Sequence, residues 1–372
     1  MKVLFCALGI YSSVGGMQQF NRRVVRCLSE LRLRGPLSAF VLALWDGEKD
    51  VKECPTDVRF YPCNCQKVLT LLRFGRLLLR EKPGIILYDH VLLVPLVVIA
   101  RLLAPRAKHI LFTHGVEVWG NPGLFTRGIV RSFVQMIVSV SNFTSARMQQ
   151  AYGLGEARFA LLPNAIDVPD NSGANRLTEF EVQGQYKLLS VSRLADRYKG
   201  HDRIILSMQT ILRTFPDTHY YIVGNGPLRD ELSAYANQLG VASNIHFLGW
   251  VDDTALRNLY EKCDLFVMPS TGEGFGIVFL EAWKHKLAII AGNKDASAEV
   301  IQHGVNGHLV DPHSVEEITG AIVSLLGDAT TRCRLAQAGY ETVGDKFTHP
   351  IFRKRLAEIL LGSLKAGESV AS

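Results

Sequence analysis

The sequence predicts an α/β protein of two doubly wound parallel-sheet domains, and three observations carry that reading. Short apolar runs alternate with amphipathic stretches along the whole chain, the pattern of strands joined by crossover helices. The runs fall into two sets separated by Val168–Gln185, a polar stretch without apolar period that reads as a hinge. At 372 residues the chain is long enough to give each set its own core. Domains are therefore expected at 1–167 and 186–346, with a separate helix in 347–372. Ligands of open parallel sheets bind beyond the carboxyl ends of the strands, so two facing sheets place a site in the cleft between them.

In the first half, strands are expected at Val3–Leu8, Ala39–Leu44, Ile85–Tyr88, His109–Thr113, Met136–Val140 and Phe159–Leu162. Helical periodicity fills the intervals, as in Met17–Leu33 and Lys67–Arg80. In the second half, strands are expected at Lys187–Val191, Tyr220–Val223, Ile245–Leu248, Leu265–Met268, Ala288–Ala291 and His308–Val310. The stretch Thr348–Leu361, rich in Arg and Leu, reads as the separate C-terminal helix.

Composition excludes several classes. Apolar residues make up 48% and charged residues 20%, so a disordered tail protein is excluded. The longest apolar run, Val91–Ala100, is broken by Pro95 and is half of the ~20 residues that a membrane span needs. The opening Met1–Leu8 has signal-peptide character without a cleavage site and reads better as a first buried strand. The seven cysteines include no Cys-x-x-Cys pair. Cys54, Cys63 and Cys65 cluster, which leaves a three-ligand metal site or reduced thiols as readings. A cytoplasmic location, with peripheral attachment to the inner membrane face as an extension, is the expectation. Charge is unevenly placed: residues 1–170 hold 21 Lys/Arg against 12 Asp/Glu, a balance of +9, and the remainder is at −3. The first half therefore suits an anionic surface or acceptor. Nucleic acid is not expected, because no recognised module or aromatic–basic interleaving accompanies the charge.

Three strand–helix junctions are suited to phosphate. Gly15-Gly16 sits between the first strand and its helix, where backbone N–H groups can approach an anion; a plain tight turn reads equally well. Arg193 and Lys199 flank the loop after Lys187–Val191, a planar fork and a point charge able to clamp a diphosphate, or two solvated cations. The segment from Met268 to Ala282 ends a strand in a Gly-rich loop and opens a helix near Gly276, so the N–H groups of Phe275, Gly276 and Ile277 form an anion cradle. Glu273 and Glu281 flank this cradle, where a carboxylate is tolerable only as an acceptor for hydroxyls, which points to sugar and ribose; a helix-start carboxylate and a solvated face are the other readings. No Gly-x-Gly-x-x-Gly dinucleotide fingerprint is present; Gly224-Asn225-Gly226-Pro227 is too short.

Taken in order, these motifs resemble the family 4 retaining glycosyltransferases of the GT-B fold, two Rossmann-like doubly wound domains facing across an interdomain cleft. Pro163-Asn164-Ala165-Ile166-Asp167 matches the family's junction motif with Ala165 in place of Gly, and Thr113–Glu117 resembles its histidine loop. The resemblance implies that Arg193 and Lys199 hold the donor diphosphate, Glu281 the ribose hydroxyls and Glu273 the donor sugar. It implies that Gly15 and Gly16 approach the phosphates from the first domain, that His114 lies beside the transferred sugar, and that the base packs near Gly224, Gly226 and Val251. It implies a hexose moved with retention from a UDP- or GDP-sugar to a glycan or lipid-linked acceptor in polysaccharide or glycolipid synthesis. No cofactor or metal is expected: there is no Asp-x-Asp, and Asp252-Asp253 reads as a helix start. The alternative is a non-catalytic sugar-nucleotide-binding subunit of the same fold.

In that fold the first domain takes the acceptor. Its cations include Arg22, Arg23, Arg26, Arg73, Arg76, Arg80, Arg101, Arg106, Lys108, Arg127 and Arg131. Leu69–Leu79 mixes apolar and basic residues as an interfacial helix does; a buried Leu stripe under a solvated basic face is the other reading.

Overall fold

The computed structural model describes residues 1–33, 37–167 and 182–365. The chain divides into two compact units, one of Met1–Asn164 with the segment from His349 onward, the other of Ala165–Thr348. The hinge stretch lies outside the described residues as far as position 181.

The first unit runs β1 (Lys2–Ala7), α1 (Gly16–Leu33), β2 (Ser38–Ala43), β3 (Arg59–Pro62), α2 (Lys67–Glu81), β4 (Ile85–Tyr88), α3 (Pro95–Leu103), β5 (Lys108–Thr113), α4 (Leu124–Phe133), β6 (Met136–Ser139), α5 (Asn142–Tyr152) and β7 (Phe159–Leu161). The strands form one seven-stranded sheet in the order β3-β2-β1-β4-β5-β6-β7, every pair parallel. Strand order reverses between β1 and β4, so the loops after these two strands splay apart and open a crevice. Central strands are buried on both faces, which is why β1, β2, β4 and β5 read as unbroken apolar runs. Leu4, Phe40, Phe74, Leu78, Leu111 and Ile137 meet in the core on one side of the sheet.

The second unit runs β8 (Tyr186–Val191), α6 (His201–Thr214), β9 (Thr218–Val223), α7 (Arg229–Gln238), β10 (Ile245–Gly249), α8 (Asp253–Lys262), β11 (Leu265–Met268), α9 (Ile277–Lys284), β12 (Ala288–Gly292), α10 (Ser297–Val300), β13 (His308–Val310), α11 (Val315–Gly327) and α12 (Ala329–Lys346). Its six strands are parallel in the order β10-β9-β8-β11-β12-β13, with the reversal between β8 and β11. Asp252 caps α8, its carboxylate accepting from the N–H of Ala255 at 2.8 Å, as the helix-start reading expects.

The last helix, α13 (His349–Lys365), belongs to the first unit and packs on α1. Phe352 meets Phe20 edge to face at 5.3 Å, and Glu30 accepts from Arg353 at 2.6 Å and His349 at 3.0 Å. Burial works against the Glu30 charge, but the Arg353 guanidinium and His349 outweigh it and hold the carboxyl at about 2.

Two elements differ from expectation. The strand β3 carries no apolar signal because it is an edge strand, paired on one side only, and it ends in Pro62. Helix α2 is neither wholly a buried stripe nor a solvated face: Phe74, Leu77 and Leu78 are buried, while Val68, Leu72 and Leu79 are 71%, 67% and 59% exposed. No helix among the described residues is long and apolar enough to cross a membrane.

Candidate active site

In the second unit, the loop after β8 carries Arg193 and Lys199, and a buried polar chain fixes its base. Ser190 Oγ bonds the Tyr220 hydroxyl at 2.7 Å, the hydroxyl meets His201 Nδ1 at 2.8 Å, and His201 Nε2 meets Ser192 Oγ at 2.7 Å. Burial, with the nearby Lys199 charge, holds the His201 imidazole down at about 3, so it serves as a neutral bridge between β9, α6 and the loop. Two further bonds stitch this loop to the loop after β9: Leu194 N–H donates to Asn225 O at 2.9 Å, and Leu228 N–H to Leu194 O at 3.0 Å. These loops meet so closely that a Cβ on Gly226 would lie 2.2 Å from Leu194 O, and one on Gly224, whose φ is +127°, 1.9 Å from Ser192 O. Gly224 N–H also donates to Gly249 O at 2.7 Å, which joins the loop to the end of β10 just before Trp250 and Val251.

Lys199 and Glu273 are brought together from loops 74 residues apart in sequence, and their side chains form an ion pair. Both are mostly covered, at 16% and 11% side-chain exposure. Burial disfavours the ammonium, but Glu273 reverses this and lifts its pKa above the usual lysine value, so Lys199 is charged at neutral pH. Thr271 N–H donates to Tyr198 O at 2.9 Å and seats one loop on the other. Arg193 is exposed, with its guanidinium outside this pair. Glu281 lies on α9 with one carboxylate oxygen accepting from the Tyr260 hydroxyl at 3.2 Å. Gly276 stands at φ +84° immediately before α9 and its carbonyl takes the Phe279 N–H at 3.0 Å, so of the first-turn groups it is the N–H of Ile277 and Val278 that have no carbonyl one turn back in the helix. The Phe275 side chain is buried against Phe347.

Sequence reasoning missed Asp295. Its carboxylate accepts from the N–H of Glu273 at 2.7 Å and of Ser297 at 2.9 Å, and so sets the backbone from which Glu273 projects. Burial, assisted by Glu273, lifts its carboxyl to about 6. The available signal was Asp-Ala-Ser after a strand, the spacing of a side chain that caps its own turn.

In the first unit, the loop between β1 and α1 is held from both sides. The buried carboxylate of Asp46 accepts from the N–H groups of Ile10 at 2.8 Å, Tyr11 at 2.6 Å and Ser12 at 3.0 Å. Arg22 on α1 donates to Ile10 O at 2.8 Å and Ser13 O at 3.1 Å. Gly15 needs no special backbone here; a Cβ on it would meet only the end of the Gln18 side chain, and Gly16 opens α1 at the surface. His114 follows β5, and its Nε2 donates to Asp89 O at 2.8 Å. Its main-chain N–H and that of Gly115 both reach the Glu117 carboxylate, at 2.5 and 3.1 Å. Burial lowers the His114 pKa against the pull of Glu117, so the ring is neutral and Nδ1 is its remaining acceptor.

Of the cysteine cluster, Cys54 and Cys63 are buried thiols and Cys65 is exposed; no group of residues suited to a metal occurs among the described residues. Beside them, a groove of about 530 Å³ runs past Ser12, Trp45, Lys49, Asn64, Gln66 and Leu69 to the start of α2.

Known proteins resemble this chain in sequence and in fold. Two family models match: Glycosyltransferase Family 4 over residues 14–169 and Glycosyl transferases group 1 over 175–342. A GDP-mannose-dependent alpha-(1-6)-phosphatidylinositol monomannoside mannosyltransferase of Mycobacterium tuberculosis is 31% identical over 283 residues, covering 70% of this chain and 73% of its own. A lipopolysaccharide core biosynthesis glycosyltransferase of Rhizobium meliloti is 30% identical over 46% of this chain and 49% of its own. Among solved structures, Anabaena HepE in complex with UDP and glucose superimposes with a TM-score of 0.78 at 20% identity, over 97% of this chain and 100% of that one. The sucrose-phosphate synthase of Thermosynechococcus elongatus does so with a TM-score of 0.78 at 16% identity, over 100% of both chains. Two reversed parallel sheets, a cationic loop paired to a glutamate beside a helix N-terminus, and family models spanning both sheets leave one assignment: the chain belongs to glycosyltransferase family 4 and has the GT-B fold.

Proposed function

We propose that the protein transfers a hexose, with retention and without a metal, from a GDP- or UDP-sugar to the sugar headgroup of a membrane glycolipid. The observation that carries this reading is the covered Lys199–Glu273 pair beside the N-terminus of α9. Arg193, Lys199 and the first-turn N–H groups meet the charge that grows on the departing diphosphate, which is the main electrostatic task of glycosyl transfer. Glu273, held by Asp295 and Lys199, takes hydroxyls of the transferred sugar, and Glu281 those of the ribose. Glu273 is committed to Lys199, so the acceptor attacks from the face the diphosphate leaves, and the leaving phosphate takes the acceptor's proton. The mannosyltransferase relative favours GDP-mannose as donor.

The acceptor reading rests on the first unit. The polar groove at Ser12, Trp45 and Asn64 suits a sugar ring, with the half-exposed Trp45 as a stacking face. The groove leads to α2, whose exposed Val68, Leu72 and Leu79 suit contact with an acyl layer, and a second groove of about 430 Å³ between Arg59, Arg73, Arg76 and Arg80 suits its anionic headgroups. The test is incubation with GDP-mannose or UDP-glucose and bacterial lipid extract in chelator, followed by proton NMR of the product. An α-linked glycolipid is expected; a β-linked product, or turnover only after a divalent cation is restored, overturns the mechanism.

A further inference from the structure

Asp89 immediately follows β4 at the point where strand order reverses, and its side chain is fully buried. One oxygen, Oδ2, accepts from Leu8 N–H at 3.0 Å and from Asn21 Nδ2 at 2.7 Å. The same Asn21 nitrogen donates to Gly9 O at 3.0 Å, which fixes the orientation of the amide. Each group then has one oxygen left over, and both of these, Asp89 Oδ1 and Asn21 Oδ1, are buried without a hydrogen-bond partner. Two acceptors cannot satisfy each other, and leaving both orphaned in an apolar setting is costly. A single proton on the carboxyl, held between the two oxygens, would resolve both.

We propose that Asp89 is held as the neutral acid, sharing its Oδ1 proton with Asn21 Oδ1, and that this uncharged pair positions His114 against the loop between β1 and α1. The groups around it agree. Burial lifts the Asp89 carboxyl to about 7 although Leu8 N–H and Asn21 pull it down, and the carboxylates of Asp46 beyond β2 and Glu117 after β5 both oppose its ionisation. The Cys6 thiol on β1 faces the same carboxyl and is pushed up by burial and by Asp89. His90 and His114 are kept neutral by burial and supply no positive charge. The link to the site is the Asp89 main chain. Its N–H bonds Cys6 O at 3.0 Å, and its carbonyl takes the His114 Nε2 proton at 2.8 Å. Phe20 of α1 packs edge-on against the same imidazole, with ring centres 4.9 Å apart. Ionising Asp89 puts an unpaired charge at the root of this assembly and loosens the histidine. Asp89 is a positioning residue; it touches no reacting atom.

The test uses Asp89→Asn and Asp89→Ala with two independent readouts. Asparagine reproduces the neutral acid, since its Nδ2 donates to Asn21 Oδ1 while its oxygen takes Leu8 N–H and the Asn21 amide. Infrared difference spectra of the wild type at pH 6 should show the carbonyl stretch of a protonated carboxyl, absent in Asp89→Asn, and nitrogen NMR should report the His114 Nε2–H tautomer in both. Asp89→Ala should lose that tautomer. In turnover, Asp89→Asn should stay within about threefold of wild type at pH 6 and lack the wild-type decline above pH 7, while Asp89→Ala falls at least tenfold. The turnover arm rests on the reading of His114 as lying beside the transferred sugar; the spectroscopic arm does not. Absence of the acid band, or an Asp89→Asn as impaired as Asp89→Ala, overturns the proposal. Spectra as expected with turnover indifferent to all three forms leave the acid pair standing and remove His114 from the reaction.

Discussion

Replacing Gly226 by alanine tests whether the two loops of the second unit hold the cationic clamp in place. The added Cβ would sit 2.2 Å from Leu194 O and 2.3 Å from Leu194 C, both main-chain atoms that cannot rotate away. Ordinary contact requires the loops to part by more than an ångström, and the two bonds joining Leu194 to Asn225 and Leu228 then stretch. Overpacking of this kind costs about 1–3 kcal/mol, and the weakened bonds about 1 kcal/mol more. Leu194 adjoins Arg193, so the guanidinium moves with it. Losing one charge-assisted hydrogen bond to a diphosphate costs about 1.5–3 kcal/mol, or roughly 10- to 150-fold in affinity. Gly240→Ala is the control: its φ of +72° makes any side chain strained, yet nothing lies within 4 Å of the new Cβ. It should cost about 1–2 kcal/mol of stability and leave nucleotide affinity unchanged. The assays are urea denaturation for stability and calorimetric titration with GDP and UDP for affinity. A Gly226→Ala protein that is destabilised yet binds nucleotide within twofold of wild type refutes the argument that loop contact positions Arg193.

Three further outcomes are expected. Glu273→Gln should lower turnover at least ~100-fold while nucleoside diphosphate binds as well or better, because a carboxylate beside the phosphates is gone; Lys199→Met should instead weaken binding and, by leaving Glu273 covered and unpaired, lower stability by up to about 3 kcal/mol in urea melts. The Asp89 carboxyl is raised to about 7 in the fold from ~3.9 unfolded, so its stabilising protonation is fully present below about pH 4 and lost as pH rises through 7. Wild type should therefore lose up to about 4 kcal/mol relative to Asp89→Asn between those limits, and parallel stability–pH curves would contradict it. Leu72→Glu with Leu79→Glu should abolish flotation with anionic vesicles without changing nucleotide affinity; unchanged flotation removes α2 from the membrane reading.

Much of the fold was legible because parallel strands buried on both faces need continuous apolar runs, as at Phe5 in β1 and Phe266 in β11. The strand β3 was not, since an edge strand carries no such demand and Arg59-Phe60-Tyr61-Pro62 reads as a loop. At the site, Arg193, Lys199, Glu273 and Glu281 were visible as residue types at strand–helix junctions, but the pairing of Lys199 with Glu273 depends on how two distant loops pack. The buried aspartates were hidden for another reason. Asp46, Asp89 and Asp295 stand singly at or just beyond strand ends, where aspartate is also the commonplace turn residue. Only the backbone N–H groups converging on each of them distinguish a structural anchor from a turn, and those come from strands and loops far away in sequence. The exposed apolar side of α2 was half legible: periodicity marked the helix, while the side it buries was settled by Phe74 and Leu78 packing into the first unit's core.

If Arg193 and Lys199 hold a nucleoside diphosphate in the second unit, calorimetric titration of the purified protein with GDP and with UDP, in chelator, detects it. No acceptor need be known. The expected result is micromolar binding of one nucleotide, with GDP favoured, weakened at least tenfold in Arg193→Ala. Binding of neither nucleotide, or equal binding by wild type and Arg193→Ala, contradicts it.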